Sequence, residues 1–389
     1  MAYDFRTIRY IPGLDGIRFF AVSIVMIAHF GFGNRVPGGL GVTIFFFLSG
    51  FLITTLLMHE TRRAGKISVG NFYIRRFLRL APEMIALLLF SSMLAWALGI
   101  SPAWADIVAA LTYTTNYYTI YLQAISPAGV AELWWGQLWS LAVEEHYYLT
   151  FPLIFPLIFG RSRRLAVFFI IALVGCLAWR CFVLTSGISG ENWHLAYSYL
   201  ASETRFDSIV YGALFAFIAQ EKRRLSQPAS GLALAAGVVL LLASLLVRDE
   251  FFRESLRYSL QGIGILLIFS HLYLSEKPSP LITTAEFPLL RWGGVLSYGA
   301  YLWHLEFVRF FSRVYEISAP ELPFAKRLLF VAAGFVSTFL VAWVSYRCIA
   351  APVLKLRRSF GSHTTTIYVE PNVATPETAK ATYLPLEKA

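Results

Sequence analysis

Long apolar runs dominate this chain, and short polar loops punctuate them. A run of about 20 apolar residues is what an α-helix needs to cross the roughly 30 Å hydrocarbon core of a bilayer. By that rule the chain predicts ten spanning helices, at about residues 15–33, 40–58, 78–99, 140–159, 165–185, 206–220, 231–247, 257–274, 291–312 and 326–349. The sixth is the weakest, being short and carrying Asp207 near its start. The stretch from Trp104 to Leu122 is aromatic enough to read as an interfacial or re-entrant helix, with an eleventh crossing as the alternative. The fold class expected is therefore all-α, a polytopic membrane helical bundle.

The polar loops orient that bundle through the excess of Lys and Arg that cytoplasmic loops carry. Arg6 and Arg9 precede the first span; Arg62, Arg63, Lys66, Arg75 and Arg76 follow the second. Arg161, Arg163 and Arg164 follow the fourth, Lys222, Arg223 and Arg224 the sixth, and Lys355, Arg357 and Arg358 the tenth. These are alternate loops, while the long segment from Gly99 to Trp139 has no Lys or Arg. Both termini are expected in the cytoplasm. Residues 1–358 read as one transmembrane domain. Residues 359–389 turn polar, lack apolar periodicity and read as a disordered cytoplasmic tail. The N-terminus lacks a short apolar region followed by a cleavage site, so its first span is expected to be retained.

Composition supports the same class. Of 389 residues, 57% are hydrophobic and only 14% charged, with a mean hydropathy of +0.61, against about 25% charged in soluble domains. The net charge of +10 comes without a zinc finger, basic groove or stacking motif, so it reads as topology and no nucleic-acid partner is expected. Cys176, Cys181 and Cys348 are odd in number and lie in apolar segments, which implies neither a disulfide framework nor a metal site.

The candidate chemistry begins with Arg18 and His29, eleven positions apart in the first span. On an α-helix these side chains share a face, about 16 Å apart along the axis. Ionisable groups inside a bilayer are costly and usually functional. Asp15, three residues before Arg18, is placed to pair with it. A histidine, whose reference pKa is about 6.5, suits a general base that removes a proton from a hydroxyl. An interfacial ion pair plus a helix-packing histidine is the bland alternative, and these residues alone leave both open.

A second cluster, Trp139, Ser140, Glu144, Glu145, His146, Tyr147 and Tyr148, opens the fourth span. Ser140 and Glu144 are four apart and share a face, so the hydroxyl can bond the carboxylate, and Glu144 can orient or charge-pair with a base on another helix. Glu144 and Glu145 point about 100° apart, which argues against their acting as one carboxylate pair. A capping box with Ser140 near the N-cap is the structural alternative. A third cluster runs from Phe72 to Pro82, where Arg75 and Arg79 lie on one face with Arg76 beside them. That fork suits a phosphate or pyrophosphate, although basic residues at a cytoplasmic helix end are also routine. Arg205 and Asp207, two apart, and Tyr298, Tyr301 and His304, on a common face, add polar groups within or at the ends of spans, as does Glu306. Gly38, Gly39, Gly41 and Gly50 read as sites of close helix approach, without the spacing of a phosphate loop.

Together these segments resemble the bacterial integral-membrane acyltransferase-three family, whose members acylate sugars of O-antigens, exopolysaccharides, Nod factors and some secondary metabolites. The resemblance covers about residues 9 to 355. It rests on Gly13-Leu14-Asp15-Gly16-Ile17-Arg18 with ten residues before His29, on Gly41 to Ile53, on Phe72 to Pro82, on Trp139 to Tyr148, on Arg205-Phe206-Asp207 with Gly212, and on Ser297 to His304. It implies a ten-helix membrane protein of the bacterial inner membrane. It also implies an acyl-CoA donor, usually acetyl-CoA, reached from the cytoplasm, and transfer to a carbohydrate or glycolipid hydroxyl. No permanently bound cofactor or metal is expected.

Carried over by position, Arg18 and His29 match the family's arginine-ten-histidine motif, Arg75, Arg76 and Arg79 its basic motif, and Glu144 its acidic one. His29, Glu144 and Arg18 are the catalytic candidates on that basis. Arg75, Arg76 and Arg79 are the donor-binding candidates. Asp15, Trp139, Ser140, Glu145, Tyr148, Arg205, Asp207, Tyr298 and His304 are supporting candidates. Three departures stand out: Thr43 where an Asp is usual, His146 where a Gln is usual, and Ala350 where a Glu is usual. The expected mechanism docks the donor pyrophosphate on the three arginines, with His29, balanced by Glu144, as base or acyl carrier. A proton-coupled transporter and a catalytically inactive family member are the rival readings.

Overall fold

A computed structural model describes residue 5 and residues 10–100, 102–125, 133–186, 193–220, 224–314 and 319–357. The expected tail at 359–389 lies outside the described residues. Among the described residues the chain is helical, with a single isolated bridge between Leu225 and Ser275 and no strand.

Helix α1 (Leu14–Ile27) runs directly into a π-helical turn (Ala28–Phe32). Helix α2 spans Gly38–Ala64, α3 Val69–Ala97, α4 Trp104–Leu111 and α5 Thr115–Ile125. A 3₁₀ turn (Gly136–Leu138) leads into α6 (Trp139–Ile158), followed by α7 (Ser162–Thr185), α8 (Trp193–Leu200) and α9 (Ser202–Gln220). Then come α10 (Gln227–Leu246), α11 (Glu250–Glu254), α12 (Leu256–Leu274), α13 (Pro280–Ala285) and α14 (Pro288–Val295). Last are α15 (Ser297–Val314), α16 (Phe324–Ser345), a second π turn (Tyr346–Ala350) and α17 (Ala351–Arg357).

The exterior of this bundle is apolar, unlike that of a soluble protein. Large apolar side chains point outward: Trp96 is 78% exposed, and Met93, Leu329 and Val336 are each 70% exposed. Arg180, Arg205, Asp207 and His304 are fully buried. An apolar exterior with the charged groups buried among partners is what lipid contact requires. Six helical stretches are long and apolar enough to cross a membrane: Leu14–Phe32, Gly38–Ala64, Val69–Ala97, Ser162–Thr185, Gln227–Leu246 and Phe324–Leu356. The chain is therefore an all-α, multi-pass membrane protein.

The other four predicted spans fall on α6, α9, α12 and the α14–α15 pair, whose polar residues lower their hydropathy. Most of α9 is buried, so its neighbours rather than lipid satisfy its side chains. The ninth span, expected to be continuous from 291 to 312, is broken between Val295 and Ser297. The 104–122 segment forms two short helices of 8 and 11 residues, joined at Tyr113 with φ 55°, too short to cross a bilayer.

At the centre, α2 and α9 cross backbone to backbone. A Cβ on Gly50 would lie 1.8 Å from the Ile209 carbonyl oxygen, and one on Gly212 would lie 1.8 Å from that of Phe47. Two glycines placed reciprocally let the axes approach closely enough for dispersion to hold the pair without a hydrophobic driving force. Phe47 and Phe51 beside this crossing pack on Phe269 and Phe215, with ring centroids at 4.6 and 5.1 Å.

Candidate active site

Helix α3 begins at Val69, well before its apolar run, so the motif from Phe72 to Pro82 is helical throughout. One turn separates Arg75 from Arg79, and both project into a pocket that Arg18 and Arg76 also line. The pocket holds about 1440 Å³ of unfilled space including its open mouth. Its apolar lining comes from Val42, Phe45, Phe46, Leu48, Leu52 and Ile53 of α2. Ser140, Glu144, Tyr148, Ser297, Tyr298 and Tyr301 supply polar groups. Four arginines together with apolar side chains fit a ligand with a phosphorylated head and a slender, less polar arm.

The acidic pair works differently from the expectation. Arg76 Nη2 reaches Glu144 Oε2 at 3.4 Å, and its Nε reaches Glu145 Oε1 at 3.3 Å, so one guanidinium straddles both carboxylates. Two neighbouring residues about 100° apart can do this because the guanidinium is a fork that offers donors in two directions. The guanidinium also sits 3.6 Å from the centre of the Tyr148 ring. Glu144 accepts further bonds from Ser49 Oγ and Tyr148 Oη, each at 2.9 Å. Its expected pairing with the base on α1 is replaced by these three contacts. Ser140 is not an N-cap and does not bond Glu144. It lies inside α6, which starts at Trp139, and its hydroxyl meets Tyr301 Oη at 2.6 Å. Arg75 pairs with Glu60 at 2.9 Å near the mouth.

Arg18 reaches the pocket from α1 and donates from Nε to Ser297 Oγ at 3.2 Å. Asp15 is buried one turn earlier, within electrostatic reach of Arg18. His29 lies beyond the pocket. Its Nδ1 is 2.9 Å from His304 Nε2, and His304 in turn packs beside Tyr301 with ring centroids 5.6 Å apart. Tyr301 lines the pocket and bonds the Gln137 carbonyl at 2.8 Å, so contacts run from the pocket wall through Tyr301 and His304 to His29. His29 is itself an exposed residue. Tyr298 donates to the Leu80 carbonyl at 2.7 Å on the α3 wall.

Three supporting candidates belong to a separate buried network. Arg205 stacks over Tyr258 at 4.0 Å, within a ring of Phe46, Trp139 and Tyr199, and donates to Thr43 Oγ1 at 3.2 Å. Asp207 pairs with Arg180 rather than with its near neighbour Arg205, and Trp139 packs on Tyr199 at 4.9 Å. Thr43 thus fills its place by accepting from Arg205 while its hydroxyl lies 3.1 Å from both Gly39 O and Gln261 Oε1. His146 bonds Ser202 at 2.6 Å, and Ala350 ends the second π turn.

Sequence reasoning passed over Arg180, Glu83, Arg309 and Gln137. Arg180 sits in an apolar run and has no local acidic neighbour. The buried Glu83 accepts from Ser345 at 2.8 Å, and Arg309 links Glu306 at 2.8 Å to Gln137 at 3.2 Å. A charged residue inside an apolar run was the available signal for Glu83, Arg180 and Arg309. Among the described residues no group of three or more His, Cys, Asp or Glu side chains is arranged to hold a metal ion.

A family model described as an acyltransferase domain matches residues 11–347. The chain is 30% identical over 363 residues to the peptidoglycan O-acetyltransferase OatA of Listeria monocytogenes, covering 89% of this chain and 56% of that protein. It is also 30% identical over 369 residues to the O-acetyltransferase OatA of Staphylococcus aureus, covering 89% of this chain and 58% of the relative. The chain thus spans a little under three-fifths of the length of these relatives. No solved structure matches it. With one family model covering nearly the whole membrane bundle and all six motif segments inside or at the edge of the match, the chain belongs to the acyltransferase-three family.

Proposed function

We propose that this protein is an O-acyltransferase that moves an acyl group, acetyl in the simplest case, from acyl-CoA to a carbohydrate hydroxyl. The single observation that carries this reading is the pocket in which Arg18, Arg75, Arg76 and Arg79 surround an apolar floor that ends at Tyr301, two side chains from His29. The arginines would hold the phosphates of the donor, and the apolar floor its pantetheine arm and thioester. His29 would take the proton of the acceptor hydroxyl as its oxygen attacks the thioester carbonyl carbon. The new C–O bond forms, the C–S bond breaks, and the CoA thiolate leaves with the proton returned by His29. The names of the relatives favour acetyl as the acyl group and a cell-wall glycan as the acceptor class.

In the same reading, ten crossings place both termini and the Arg75–Arg79 rim on the cytoplasmic side of the inner membrane, where acyl-CoA resides. The basic residues Arg62, Arg63 and Lys66 at the end of α2 and Arg161, Arg163 and Arg164 at the α6–α7 turn support that orientation.

The test uses the purified chain in nanodiscs with labelled acetyl-CoA and N-acetylglucosamine oligomers as acceptors. Label on the oligomer, lost in His29→Ala at unchanged expression and monodispersity, is the expected result. No transfer to any glycan, with solute uptake into proteoliposomes instead, would replace this reading with a transporter.

A further inference from the structure

We infer that His304 is a positioning residue that sets the tautomer of His29, leaving Nε2 of His29 as the unprotonated nitrogen. The inference deepens the proposed function and rests on its reading of His29 as the base.

His304 is fully buried on α15, and its Nδ1 lies 2.7 Å from the Tyr301 carbonyl oxygen. A carbonyl oxygen only accepts, so that nitrogen carries the proton. A neutral imidazole has one such proton, which leaves His304 Nε2 as an acceptor. This acceptor is the atom 2.9 Å from His29 Nδ1, so His29 Nδ1 must donate. His29 is then protonated on Nδ1 and unprotonated on Nε2, the form a general base requires. The two imidazole rings lie with centroids 5.0 Å apart and planes 28° apart.

The backbone supports this arrangement. His29 lies in the π turn Ala28–Phe32, which ends the α-helical register of α1. Gly31, at φ 108°, allows the turn to close against the Ala319 carbonyl, where a Cβ would come within 2.9 Å. His304 is held on its other side by the Tyr301 ring, whose hydroxyl is fixed by Ser140 and Gln137. When His29 accepts a proton at Nε2, its Nδ1–H bond to His304 becomes charge-assisted and strengthens. His304 thereby also stabilises the imidazolium that forms during transfer. It does so as a neutral acceptor, in the place that a carboxylate holds in a hydrolase triad.

The test combines a tautomer measurement with kinetics on the full chain in nanodiscs. Histidine ¹⁵N shifts of His29, assigned by their loss in His29→Asn, report the tautomer without any acceptor. The wild type is expected to show a protonated Nδ1 and an unprotonated Nε2. His304→Leu removes the acceptor and is expected to mix the tautomers and lower kcat about 10- to 1000-fold, with KM for acetyl-CoA unchanged. His304→Gln, whose Oε1 accepts from the same nitrogen, is expected to restore the tautomer and most of the kcat. A protonated Nε2 in the wild type, or a folded His304→Leu protein with wild-type shifts and kcat, would overturn the inference. Equal losses in the Leu and Gln variants would also overturn it. Full activity in His29→Ala would instead remove the reading of His29 as base, while the shifts would still report the tautomer.

Discussion

Arg180 and Asp207 form a fully buried ion pair between α7 and α9, Nη2 to Oδ2 at 2.6 Å, and neither side chain touches solvent. All three guanidinium nitrogens are engaged: Nε bonds the Ser255 carbonyl, Nη1 the Thr204 carbonyl, and Nη2 the hydroxyl of Ser259 as well. Breaking one partner leaves an uncompensated charge in the bundle. Arg180→Met is expected to cost about 3–5 kcal/mol, read as loss of monodisperse protein and a lower Tm in detergent. The double variant Arg180→Met, Asp207→Leu is expected to recover much of that loss.

The α2–α9 crossing predicts a steep steric cost at one position and none at another. Gly212→Ala puts a methyl 1.8 Å from the Phe47 carbonyl, which only separation of the two helices relieves. The expected cost is on the order of 3 kcal/mol. Gly175→Ala on α7, with nothing within 4 Å of the new Cβ, is expected to be neutral or stabilising by up to about 1 kcal/mol. Thermal unfolding of the two variants side by side checks the contrast.

Thr43 supplies only a hydroxyl to Arg205, a fully buried cation whose other near neighbours are aromatic rings. Thr43→Asp, close in volume, gives that cation a carboxylate at the same point and is expected to stabilise the protein by about 1.5–3 kcal/mol. Thr43→Val, which removes the hydroxyl without adding charge, is expected to lower the Tm. A lower Tm in both variants would show that desolvating the new carboxylate outweighs its pairing with Arg205.

Two arginines of one pocket are expected to fail in different ways. Arg79→Met is expected to weaken CoA binding about 10- to 100-fold, the equivalent of one charged hydrogen bond. Arg76→Met is expected to weaken binding and lower the Tm, because it strips the counter-charge from Glu144 and Glu145 together. Calorimetric titration with CoA alongside thermal melts separates the two effects.

Much of this molecule is legible in its linear pattern. Apolar run length and the 3.6-residue period are local properties, so all ten predicted spans fall on helical segments, and Arg75 and Arg79 face one pocket as their spacing implies. Six of those segments also meet the length and hydropathy needed to cross a bilayer. What only the tertiary structure decided is which polar group answers which. His29 meets His304 across 275 positions, Asp207 takes Arg180 over Arg205, Ser140 turns to Tyr301 and leaves Glu144 to Arg76. The break before Ser297 likewise has no signature in hydropathy. Inside lipid no water answers a buried charge, so its partners come from within the bundle. The choice among partners is set by where helices cross, and that depends on contacts such as Gly50 with Ile209 and Gly212 with Phe47, far apart along the chain.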